Sequence, residues 1–185
     1  MPLATSELRR GRIVLALFPF AAAFPARLAD GSATSSIDEY VELRRGAATS
    51  ILAEAQLRPV LLLHDQTRGP YDDVVCLRIN SVKAAMRTSA SWSRIVRHEH
   101  PFFFHLPLER HRYGLAEESV IALPAIGAIH KSAIAGRRTV GELSTHEMQV
   151  VSERLVRLLS LDIAPLVAAQ ARELLQRLGR QSRES

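Results

Sequence analysis

Between Lys83 and Arg112 the chain interleaves cations with one indole: Lys83, Arg87, Arg94, Arg97, Arg110 and Arg112 are set against only Glu99 and Glu109, with Trp92 among them. Such a mixture suits a groove for single-stranded nucleic acid, where cations neutralise phosphates and a ring stacks on a base. It equally describes a solvated basic loop whose Trp92 is plugged into a core or a dimer seam, and residue types alone leave both readings standing. Histidines accompany the segment. His98, His100, His105 and His111 flank an enlarged loop expected over residues 81–100, and His64 follows a leucine run. An imidazole takes and returns protons near neutral pH, so each is a candidate for proton transfer, His64 first, against the alternative of a crevice histidine with no task. On a strand, His98-Glu99-His100 would put two imidazoles on one face as zinc ligands require, but no cysteine or second histidine pair completes the set and no metal is expected.

Composition sets wide bounds. Over 185 residues, 47% hydrophobic and 23% charged is ordinary for a globular chain, and one domain spanning 1–185 is expected. The net charge of +5 favours a polyanionic partner without requiring one. The single cysteine, Cys76 in Val74-Val75-Cys76-Leu77, reads as a small buried strand residue, and a chain with no disulfide suits a reducing cytoplasm. Arg9, Arg10 and Arg12 ahead of an apolar run to Phe24 outline a secretion signal. Glu7 in its basic part and Pro19 inside its apolar part count against that reading, as does the need for the same residues in a first strand. No run reaches the roughly 18 apolar residues of a membrane span, so no membrane partner is expected.

The elements that must position these groups follow from periodicity. Ile13 to Phe20 is a β-branched and aromatic run with Pro19 at its exit. A small-residue loop follows. Ser36-Ile37-Asp38-Glu39 is a capping box, and Ile37, Val41, Ala48 and Ile51 keep helical spacing behind it, predicting a helical insertion over about residues 35–56. Pro59 to Leu63 and Val74 to Ile79 read as strands joined by the turn residues 68–73. In Pro101 to Leu108, alternation sets Phe102, Phe104 and Leu106 on one side and Phe103 and His105 on the other. Glu118 to Leu123 predicts a buried strand and Ile126 to Lys131 a second short one, then a polar hinge. Ser144-Thr145-His146-Glu147 opens a helix over 144–160 with Met148, Val151, Leu155 and Leu158 as its stripe. Asp162 and Pro165 restart a helix over 163–178, on which Val167, Ala171, Leu174 and Leu178 repeat the pattern and offer a dimer seam. Periodicity alone allows any compact α+β domain.

In their order, three blocks carry more: Gly11-Arg12-Ile13-Val14-Leu15-Ala16-Leu17-Phe18-Pro19-Phe20; Arg58-Pro59-Val60-Leu61-Leu62-Leu63 with Val74 to Ser81; and Arg112 to Leu161. Together they resemble the MazF/PemK-like family, the ribosome-independent endoribonuclease toxins of bacterial toxin-antitoxin pairs. The resemblance implies an α+β fold built on a small SH3-like β-barrel (MazF/PemK/CcdB-like), with barrel residues 11–20, 58–81 and 101–143. The helical insertion and the last helix would be additions to it. It further implies metal-independent and cofactor-independent cleavage of single-stranded RNA by attack of the ribose 2'-hydroxyl, in a cytoplasmic homodimer restrained by a cognate antitoxin.

The same resemblance assigns roles. Arg58 in Arg-Pro-x-Leu matches the family arginine that serves the reacting phosphate, a task for which paired guanidinium donors are suited. Asn80 stands where the family commonly carries threonine, and Ser81 behind it is kept, so Ser81 or Asn80 would position the scissile phosphate. His64 would move protons, and Lys83, Arg87, Trp92, Arg94 and Arg97 would hold the RNA strand. Ala122, Pro124 and Gly127 occupy positions where relatives carry polar or charged groups. These departures support an alternative: a catalytically inactive RNA-binding or protein-interaction module of the same fold.

Overall fold

The computed structural model describes residues 8–19, 25–44, 51–52, 54–65, 72–165, 167–168 and 170–171. The apolar first run forms β1 (Arg12–Pro19), followed by β2 (Ala26–Leu28), β3 (Ala33–Thr34), α1 (Ile37–Arg44) and β4 (Ile51–Leu52). Then come β5 (Ala55–Leu62), β6 (Asp73–Ser81), α2 (Ala84–Arg87), α3 (Trp92–Val96), β7 (Phe103–Leu106), α4 (Arg110–Tyr113), β8 (Ser119–His130), β9 (Ile134–Glu142) and α5 (Thr145–Leu158). A single 3-10 turn, Lys131–Ala133, joins β8 to β9. The large sheet is antiparallel throughout, in the order β7-β8-β6-β5-β1-β9, and β3-β2-β4 make a small second sheet.

Alternation along the strands gives this sheet two apolar faces. Ile13, Leu61, Leu77, Ile79, Phe104, Leu106, Ile121 and Leu123 bury one face against Tyr113 of α4 and Met148 and Val151 of α5. Val14, Ala16, Phe18, Val60, Leu62, Val74, Cys76 and Ile129 bury the other. At about 1.5–3 kcal/mol for each large side chain, these two clusters are the main source of stability. Burial pushes the Cys76 thiol up to about 12, as a buried strand cysteine requires. Ser144 caps α5 as its sequence predicts: its hydroxyl accepts from the Glu147 amide at 3.3 Å while the Glu147 carboxylate accepts from the Ser144 amide at 2.8 Å.

Helix α4 stands against β9 at one edge of the sheet. No backbone ladder joins β7 to β9 among the described residues, so the expected barrel is left open, and α4 fills the gap. A Cβ added to Gly141 of β9 would stand 2.3 Å from the Tyr113 carbonyl oxygen, and one added to Gly114 would stand 1.7 Å from that of Val140. Gly114 also ends α4 at φ 63, the left-handed cap that glycine adopts without a Cβ penalty.

Several expectations are corrected. The two short strands predicted on either side of Pro124 are one strand, β8, because Ala122 to Ala125 form a bulge opposite Arg78 alone and Pro124 has no ladder partner on β6 to lose. The polar hinge is β9, whose pairing with β1 overrides its weak alternation. The small-residue loop after β1 contains β2 and β3, and β5 begins at Ala55, so Arg58 lies inside a strand and the insertion ends earlier than 56. The 81–100 loop holds two short helices. Leu174, Leu178 and the turn residues 68–71 lie outside the described residues.

Candidate functional site

Strand register gathers the predicted residues into rungs. Phe18 lies across from Gln56, Ala16 from Arg58, and Val14 from Val60, which in turn faces Arg78. Asn80 faces Val120, and Val120 faces His105. Because paired residues project to one side of a sheet, Arg58, Asn80, Val120 and His105 form one row across β5, β6, β8 and β7. The row lies on the face that carries Val14, Val60 and Cys76, with Ala16 of that apolar cluster at its β1 end.

The Arg58 guanidinium donates to the Asn80 side-chain oxygen at 3.5 Å and to the Gln56 side-chain oxygen. With its oxygen engaged by Arg58, Asn80 keeps an amide nitrogen with two donors for a ligand. Arg78, two residues before Asn80 on β6, points to the same side and is half-buried, with a buried Nε that makes no hydrogen bond among the described residues. Ser81 is exposed and projects to the opposite side from Asn80, so it does not join them.

His64 is placed elsewhere. It follows the far end of β5, about 20 Å along the strand from Arg58, and its Nε2 accepts from the Val75 amide at 3.0 Å. That bond fixes the proton on Nδ1 and makes His64 a clasp on β6. His105 is the histidine that shares a row with Arg58. It is 6% exposed, and its Nε2 lies 2.8 Å from the Glu118 carboxylate, whose other oxygen receives Arg87 at 2.6 Å. Trp92 stands edge-on to the His105 ring at 5.4 Å and is half-buried, so it is neither in the main core nor fully presented to solvent.

The basic segment divides accordingly. Arg87 is tied to Glu118 and Arg97 to Glu99 at 3.0 Å, while Lys83 and Arg94 are exposed and form no ion pair among the described residues. His98-Glu99-His100 lies in a turn, with His98 at φ 56, and its rings diverge: His98 stacks on Phe104 at 4.3 Å and His100 leans on Phe103 at 5.2 Å. Burial lowers the pKa of both, with Arg154 adding to His98 and Arg94 and Arg154 to His100, so both are neutral near pH 7. Among the described residues no three metal-ligating side chains come together. Glu118 and Arg78 were not singled out in the sequence: Glu118 sits in an ordinary Glu117-Glu118 pair, and the position of Arg78 depends on the bulge in β8.

No family model and no curated protein matches the sequence. Among solved structures, the chain is similar to a crystal form of MazF from Deinococcus radiodurans at 15% identity, covering 83% of this chain and 96% of that one, with a TM-score of 0.48. It is similar to an endoribonuclease from Mycobacterial species in complex with its cognate antitoxin at 15% identity, over 83% and 96%, with a TM-score of 0.44. With the Mycobacterium tuberculosis toxin MazF-mt6 it shares 19% identity over 59% of this chain and 90% of that one, at a TM-score of 0.42. No helix among the described residues is long and apolar enough to cross a membrane.

Proposed function

We propose that this chain is a metal-independent endoribonuclease for single-stranded RNA, the toxin member of a toxin-antitoxin pair. The observation that carries the reading is the Arg58 guanidinium held on a strand by Gln56 and Asn80, which sets its charge beside the Asn80 side chain. The ordered resemblance of Arg58-Pro59-Val60-Leu61 and the blocks around it to the MazF/PemK-like family supplies the reaction. The 2'-oxygen bonds to phosphorus and the bond to the 5'-oxygen breaks. One proton leaves the 2'-hydroxyl and one is taken up by the 5'-oxygen, giving a 2',3'-cyclic phosphate and a 5'-hydroxyl. Arg58 stabilises the charge that grows on the phosphorane oxygens, and the Asn80 amide donates to the same group. Lys83, Arg94 and Trp92 extend the contact along the strand. A homodimer and a cognate antitoxin, in the cytoplasm, belong to the same proposal.

The test is incubation of purified protein with single-stranded RNA in excess chelator. Cleavage to 2',3'-cyclic ends is expected, and Arg58→Ala should slow it by about 100-fold, the loss of one transition-state donor. Cleavage that requires added divalent metal, or an unchanged rate in a folded Arg58→Ala protein, defeats the proposal. A second reading, an RNA-binding module without catalysis, draws on the placement of the histidines: His64 is engaged by Val75 and His105 by Glu118. Binding without cleavage selects it.

A further inference from the structure

We propose that Arg78 and Arg58 form a two-guanidinium seat for one phosphodiester group, with Asn80 between them. The proposal deepens the ribonuclease reading and rests on it for the identity of the ligand. Register carries the geometry. Val60 faces Arg78, so Arg58, two residues from Val60 on β5, is the diagonal neighbour of Arg78, with Cα atoms about 7–8 Å apart. Both side chains leave the same side of the sheet as Asn80.

The surroundings of Arg78 call for an anion. Its stem leaves the sheet beside the buried Val60 and Cys76, and its Nε is buried without a hydrogen bond among the described residues. A buried N–H is costly unless an acceptor meets it, and this Nε belongs to a cation whose half-buried group favours an anion at its other nitrogens. The neighbours on this face are Val60, Asn80, Val120 and Ala122, none of which is a carboxylate. On the β8 side, the rung of Arg78 meets only the bulge of Ala122, Leu123, Pro124 and Ala125, which supplies neither charge nor a paired strand residue. Glu118, just before β8, is already shared by Arg87 and His105.

A phosphodiester fits this arrangement chemically. It carries one charge over two non-bridging oxygens, and two forked cations on adjacent strands can each take one of them. Arg78 then orients the phosphate while Arg58 meets the charge that develops in the reaction. That division makes Arg78 a binding residue whose loss weakens the hold on RNA.

The experiment is a titration of the intact protein with inorganic phosphate, followed by heteronuclear NMR of the arginine Nε–Hε groups. It is repeated with a short DNA strand, which lacks the attacking hydroxyl and cannot be cleaved. Joint movement of the Arg58 and Arg78 signals is expected. Arg78→Gln should weaken DNA binding by about tenfold or more and flatten its salt dependence by about 0.7 of a unit, one phosphate contact on a single strand. Arg78→Lys should recover the salt slope and only part of the affinity, since a point charge cannot fork. An Arg78 signal that stays still while Arg58 moves overturns the seat, as does a folded Arg78→Gln protein that binds DNA unchanged. If Arg78→Gln fails to fold, the titration of the unmodified protein decides alone. Joint movement with no cleavage of ordinary RNA keeps the seat and rejects the ribonuclease. Cleavage with no response from Arg78 does the reverse.

Discussion

The Tyr113 hydroxyl donates to the Glu147 carboxylate at 2.6 Å, fastening the turn that plugs the gap in the sheet to the helix that covers its face. Glu147 is also the far end of the capping box and the partner of Arg112. One carboxylate thus secures α4, the start of α5 and the contact between them.

Glu147 should therefore govern the acid limb of stability. Burial alone would raise its pKa, but hydrogen bonds from Tyr113 and from the amide and hydroxyl of Ser144, with the Arg112 charge, outweigh burial and hold it below the ordinary value. A carboxyl lowered in the folded state adds stability above its unfolded pKa of about 4.3 and surrenders it as pH falls through the folded value. Glu147→Gln should cost about 2 kcal/mol at neutral pH. Its Tm should fall less steeply than that of the unmodified protein between about pH 4.3 and strongly acidic conditions. Parallel acid limbs measured by calorimetry would contradict this.

Replacement of His64 separates a structural from a chemical histidine. His64→Ala removes the acceptor for the Val75 amide and should cost about 1–2 kcal/mol in urea unfolding. Cleavage per folded molecule should stay within about twofold, because a change in ΔG‡ well under 1.4 kcal/mol is expected from a group about 20 Å away. A fall of two orders of magnitude in a stable His64→Ala protein would return His64 to the reacting groups.

The basic segment should not act as a uniform charge. Arg94 is unpaired among the described residues, whereas Arg97 is held by Glu99. Arg94→Ala should lower the slope of log affinity against log salt by about 0.7, one phosphate on a single strand, and Arg97→Ala by less. Fluorescence anisotropy across a sodium chloride series measures both, and equal slopes would refute the distinction.

What was legible in the sequence had short-range causes. The Ser144 capping box needs only four residues to be recognised, and β1 announces itself by its β-branched run. Arg58 was visible through the proline and leucines that follow it. The missing parts depend on distant partners. β9 is a strand because β1 offers it a ladder, and β8 passes through Pro124 because a bulge there frees it from β6. Arg78 looks like any arginine in an apolar strand until that bulge removes the residue that would have faced it. The pairing of His105 with Glu118 was hidden for a related reason: the two lie on different elements, and which of five candidate histidines meets a carboxylate is decided by register.

The ladder between β1 and β9 also bears on how the molecule is made. β1 leaves the ribosome ahead of β5, which can pair with it soon afterwards. The opposite edge of β1 has to wait until Glu142 has emerged, because its neighbour there is β9, the last of the described strands. Until then an apolar strand has one side unpaired and open to any other extended chain nearby. The chain is exposed to misassociation for as long as β1 waits for β9, and truncated products that stop before β9 should be the forms that aggregate or are degraded.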